Sequence, residues 1–148
     1  MKKMDEYDKA LVFAMKKWIA DEINDIYDNN IYAVSVTHET DENGTKVYIG
    51  YNTEDHLRTT GSERYDCTQF KKPRFAQVDD DPNVFGSIDI WFSFKGYELA
   101  SPDEDAINGM YDCFCTAFEE LSSDGIIKER FNKNMQICAS DGCAVIGA

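Results

Sequence analysis

Residues 31–51 read IYAVSVTHETDENGTKVYIGY, and this stretch decides the fold. Residues 31–39 are rich in β-branched and aromatic types, which suit a pleated, half-buried surface. Asp41-Glu42-Asn43-Gly44 then predicts a turn, because Asn-Gly reaches positive φ at little cost. Residues 45–51 return as a second strand. The pattern is that of an antiparallel hairpin.

Working outward, residues 4–27 predict an amphipathic helix before the hairpin. Met4, Tyr7, Leu11, Met15, Trp18, Ile19, Ile23, Ile26 and Tyr27 recur at spacings of three and four. The opposite face carries Lys9, Lys16, Lys17, Asp21, Glu22 and Asp25. Acids near the C-terminal end oppose the helix dipole by about a few tenths of a kcal/mol, which the apolar stripe has to outweigh. Asp28-Asn29-Asn30 breaks the pattern.

After the hairpin, Thr53 is placed to cap a short helix with Glu54 and Asp55 in its first turn. Residues 57–83 carry little periodicity. They hold Lys71-Lys72-Pro73-Arg74 and the turn-forming Asp79-Asp80-Asp81-Pro82-Asn83. Residues 84–99 fit two periods. Val84, Ile88, Ile90, Phe92 and Phe94 suit a strand, whereas Phe85, Ile88, Trp91, Phe92 and Leu99 suit a helix. The Asp-Pro-Asn lead-in is also a helix-start signal, and the residues alone leave strand and helix both open.

Ser101-Pro102-Asp103-Glu104 predicts a helix start with Ser101 at the cap and Pro102 first inside. Ile107, Met110, Tyr111, Phe114, Phe118 and Leu121 form its stripe to about residue 122, and Gly125 ends it. Residues 126–131 suit a short helical turn. Residues 135–139 read as a late strand, with Asp141-Gly142 turning residues 143–146 back onto it. This order predicts one globular α+β domain over residues 1–148. Its antiparallel sheet of three to five strands packs against amphipathic helices.

Composition narrows the function. At 148 residues the chain can bury roughly 68–70% of its unfolded surface around one core. Its net charge of −13 and pI near 4.4 argue against a nucleic-acid partner, since phosphate attraction needs a basic face. No run approaches the ~18 apolar residues of a membrane span. Met1-Lys2-Lys3-Met4 runs into Asp5-Glu6 instead of an apolar signal core, so a cytoplasmic location is expected. Charge is uneven: −5 over residues 1–60, −2 over 61–100 and −6 over 101–148.

The chemistry-bearing residues form no catalytic signature. His38 beside Glu39 and His56 beside Asp55 are candidates for a general base or metal ligand. The plainer reading is a solvated strand end and a solvated helix turn. Cys113 and Cys115 sit about 200° apart on a helix, which is poor chelating geometry. Cys67, Cys138 and Cys143 bring the number to an odd five, with no disulfide framework. Thr45, Val47 and Ile49 stand where a calcium loop needs oxygen ligands, and Asp79-Asp80-Asp81 suits a solvated loop. No cofactor and no metal are expected, and no phosphate loop or dinucleotide fingerprint occurs.

Four segments carry a family likeness. They are the long helix leading into Ile31-Tyr32-Ala33-Val34-Ser35-Val36, and the step Asn52-Thr53-Glu54-Asp55-His56-Leu57. The others are Glu63-Arg64-Tyr65-Asp66-Cys67-Thr68-Gln69-Phe70 and the helix end Phe118-Glu119-Glu120-Leu121-Ser122-Ser123-Asp124-Gly125-Ile126-Ile127. Together the chain resembles the bacterial domain-of-unknown-function family 4303, which groups small α+β proteins. The resemblance implies helix at 84–99 and an immunity-type role, neutralising a toxin. Combined with the charge, it gives a non-enzymatic reading: an acidic face binds a basic, nuclease-like toxin through Asp103, Glu104, Asp105, Asp112, Glu119 and Glu120. Two rival readings stand beside it. One is a small hydrolase using His38 and His56 with Glu39 and Asp55. The other is a homodimerising adaptor built on exposed aromatics.

Overall fold

Asp5 and Asp8 start the first helix by capping each other. The Asp5 carboxylate accepts from the Tyr7 and Asp8 amides at 2.9 and 2.8 Å, and Asp8 accepts from the Asp5 amide at 3.0 Å. The computed structural model describes residues 4–28, 30–41, 44–61, 63–64, 69–77, 82–98, 101–131, 136–139 and 144–146. Helix α1 (Glu6–Ile23) is shorter than its apolar periodicity. Ile26 lies beyond its end but still enters the core, whereas Tyr27 faces solvent. The chain turns there through backbone bonds from Asp25 to Glu22 and from Ile26 to Ile23. Leu11, Met15, Trp18, Ile19 and Ile23 are fully buried on α1. At about 1.5–3 kcal/mol for each such side chain, the stripe outweighs the misplaced acids.

The hairpin forms as expected. Strands β1 (Ile31–Asp41) and β2 (Gly44–Thr53) pair antiparallel, closing at Asp41 opposite Gly44. Glu42 and Asn43 lie outside the described residues. A register shift between Ile31 and Ala33 sorts the side chains. Ile31, Val34 and Val36 enter the main core, and Tyr32 and Ala33 face a second cluster with Phe70. On β2, Val47, Ile49 and Tyr51 share the main core. Leu57 of helix α2 (Glu54–Thr60) packs on the second cluster, and Thr53 caps α2 by accepting from the His56 amide at 3.1 Å.

The irregular middle hides a strand. β3 (Lys72–Gln77) pairs antiparallel with β2 at the edge of the sheet and takes in Lys72-Pro73-Arg74. An edge strand tolerates Pro73, which has no amide to donate. Gly50 makes the pairing possible. A Cβ there would stand 2.5 and 2.7 Å from the carbonyl oxygens of Pro73 and Lys72. The segment Asp79-Asp80-Asp81 lies outside the described residues.

Residues 84–95 are helical, within α3 (Pro82–Lys95), and α4 (Glu104–Ser123) follows. The start of α4 differs from expectation: Asp103, not Ser101, is the cap, accepting from the Ala106 amide at 2.8 Å. Gly125, at φ +80°, turns the chain into α5 (Ile126–Phe131). Strands β4 (Gln136–Ala139) and β5 (Ala144–Ile146) complete a five-stranded sheet of order β3-β2-β1-β4-β5. The fold is α+β, with helices packed on the sheet. Three junctions are antiparallel, and β1–β4 is parallel because the chain reaches β4 only after crossing through the helices. One core joins α1, α3, α4 and α5 to β1, β2 and Ala76 of β3.

Candidate functional site

On α4, Ala106, Met110, Cys113, Phe114, Ala117, Phe118 and Leu121 are buried. The 3.6-residue period then turns Glu104, Asp105, Asp112, Glu119 and Glu120 onto one arc of about 160°. All five are exposed, as is Asp103 at the cap. Glu120 is paired, with Lys16 of α1 at 3.4 Å, and the same ammonium reaches Asp124 at 3.4 Å. That bridge answers the lack of a basic residue in the last turn of α4, where the dipole disfavours acids. Glu104, Asp105, Asp112 and Glu119 have no ion-pair partner among the described residues. Five of the six acidic residues read from the sequence therefore share one exposed arc of α4, and Asp103 is exposed at its cap.

Beside that face lies a cavity of about 370 Å³, between the start of α1, the end of α3 and the middle of α4. Asp8 lines it, although only 8% of the residue is exposed. Its carboxylate accepts the Trp91 indole N–H at 2.8 Å and the Lys95 ammonium at 3.2–3.3 Å. Lys95 also binds Asp5. This contact holds the Asp5 carboxyl below its usual range and raises the Lys95 ammonium above its own. Trp91 and Tyr97 form an aromatic wall with centroids 5.7 Å apart. The indole lies against α4 at Gly109, where a Cβ would come within 2.9 Å of it.

The opposite wall is α4 itself: Asp112, Cys115, Thr116 and Glu119. Burial pushes the Cys115 thiol up to about 12, and the Asp112 and Glu119 charges add to the shift. It is a thiol at neutral pH. Phe13 and Phe94 are 72% and 61% exposed. Phe94 stacks on Tyr7 at 4.2 Å, and Phe13 lines a smaller cleft with Lys16 and Glu120.

The two histidines occupy separate surroundings. His38 hydrogen-bonds the Tyr111 hydroxyl of α4, ring centroids 5.6 Å apart. His56 belongs to α2, over the second cluster, and meets the Gln69 carbonyl at 3.1 Å. Glu39 pairs with Arg74, and Asp55 pairs with Arg58. The four residues of the hydrolase reading are thus divided between two elements with different partners. Cys113 and Cys115 are both buried. Cys138 lies in β4, while Cys67 and Cys143 lie outside the described residues. Among the described residues no cluster of three or more His, Cys, Asp or Glu side chains is placed to hold a metal ion. None of their helices is long and apolar enough to cross a membrane.

Sequence reasoning missed the Asp8–Trp91–Lys95 group. A signal was present: Asp5 and Asp8 have the spacing of a capping box, and Trp91 and Lys95 lie one helical turn apart. Compared with known proteins, the chain matches no family model, no curated protein and no solved structure.

Proposed function

We propose that the chain is a non-enzymatic binding protein whose α4 face receives a basic protein, in the manner of an immunity protein masking a cationic toxin. One observation carries the reading: Asp103, Glu104, Asp105, Asp112, Glu119 and Glu120 are all exposed, and all but the cap lie on one arc of α4. Such a face raises the encounter rate with a cationic surface and repels nucleic acid. Phe13 and Phe94, exposed nearby, offer the aromatic contact area on which binding energy concentrates.

The test is affinity capture from the source cell by the wild-type chain and by a variant carrying E104Q, D105N, D112N, E119Q and E120Q. A basic protein retained by the wild type, lost by the variant and released as salt rises supports the reading. Retention unaffected by both charge removal and salt overturns it. The exposed Phe13 and Phe94 also favour a second reading, a homodimer through the same region. A monomer by light scattering removes that one.

A further inference from the structure

We propose that the cavity between α1, α3 and α4 binds a linear organic dication of the diamine class, with one ammonium at Asp112 and the other at Glu119. The two carboxylates line the cavity from the same wall and have no ion-pair partner among the described residues. They lie seven residues apart, which is about 10.5 Å along a helix. A single metal ion needs its oxygens within about 2.6 Å and cannot span that distance. Two cationic centres joined by an alkyl chain can.

The rest of the cavity suits the chain between them. Trp91 and Tyr97 line it, and aromatic rings attract alkylammonium groups. Cys115, at 8% exposure, lines the same wall between Asp112 and Glu119. A thiol there is a soft, weakly polar surface for methylenes. Among the described residues the one cation in the lining, Lys95, is occupied by Asp5 and Asp8. The volume of about 370 Å³ lies within the range of small-molecule sites. An anion is repelled, and a neutral ligand leaves both carboxylates uncompensated as it displaces their water. The inference does not depend on a protein partner, since a small amine needs only the cavity.

The experiment is titration with 1,8-diaminooctane by calorimetry and amide NMR at low salt, using wild type, D112N, E119Q, the double variant and E129Q. Glu129 is exposed on α5 and does not line the cavity. Saturable binding is expected, weakened about tenfold by each cavity variant and unchanged in E129Q. The amide shifts should centre on Gly109, Cys115 and Tyr97. Butylamine, with one ammonium, should bind about tenfold more weakly than 1,8-diaminooctane. No saturable binding of 1,8-diaminooctane, equal loss in E129Q, or equal affinity for butylamine overturns the proposal. Circular dichroism confirms that each variant is folded.

Discussion

Trp91 donates its indole N–H to Asp8 at 2.8 Å, joining two residues 83 positions apart. The bond fixes the end of α3 to the start of α1. It also completes a group in which Asp8 is the cap partner of Asp5, the acceptor of Trp91 and the counter-ion of Lys95.

Removing either member should cost stability unequally. Trp91→Phe loses one hydrogen bond, at about 1–2 kcal/mol. Asp8→Ala leaves the indole and the ammonium without their acceptor and unmakes the cap, at about 2–4 kcal/mol. Urea unfolding of the two variants measures this. A Trp91→Phe loss larger than the Asp8→Ala loss would refute the account.

Gly109→Ala sets two effects against each other. Alanine improves a helix interior by about 1 kcal/mol. Its Cβ would meet the Trp91 ring at 2.9 Å, and overpacking costs about 1–3 kcal/mol. A net loss is expected, with altered Trp91 fluorescence. A gain in the denaturant midpoint with an unchanged spectrum would contradict it.

Acid stability should report on Asp28. Lys71 at 2.6 Å and the Tyr51 hydroxyl hold its carboxyl below the usual carboxylate value. A lowered folded pKa adds stability that is complete above the unfolded value, about 3.9, and is lost as pH falls through the folded one. Asp28→Asn should therefore lower stability at neutral pH and flatten its decline below about pH 4. Burial and then Asp28 raise the Tyr51 phenol, so that contribution is complete below about pH 10 and fades above it. Tyr51→Phe should flatten the alkaline limb. Unchanged slopes in both variants would exclude the triad as the source.

Cys115 should resist alkylation in the native state. With its pKa near 12 and its side chain buried, almost no thiolate is present at neutral pH. Peptide mapping after iodoacetamide should find it unmodified until denaturant is added. Labelling in native buffer at the rate of a free thiol would show that the α4 wall opens.

Much of this was legible in the sequence, for a physical reason. The 31–51 hairpin, the stripe of α1 and the stripe of α4 are periodic over many residues, and periodicity is a local signal. β3 was not legible because an edge strand carrying Lys72, Pro73 and Arg74 buries little and shows weak alternation. The parallel union of β1 and β4 was invisible because a strand's own pattern does not name its neighbour. At the start of α4, Ser101 and Asp103 are both good caps, and only the built turn selects Asp103. The acidic arc followed directly from helical spacing. The cavity did not, since it arises where three helices meet.

The edge strand that sequence patterning overlooked has a consequence for solubility. A sheet margin of free amides and carbonyls invites another chain to add itself, the first step of aggregation. Here Pro73 withholds one donor, and Lys72 and Arg74 bring charge to that margin. Arg74 lies over the Tyr48 ring and pairs with Glu39, which keeps its charge beside the sheet. The opposite margin, β5, spans three residues. The features that left β3 without a strand pattern also guard the sheet against indefinite growth.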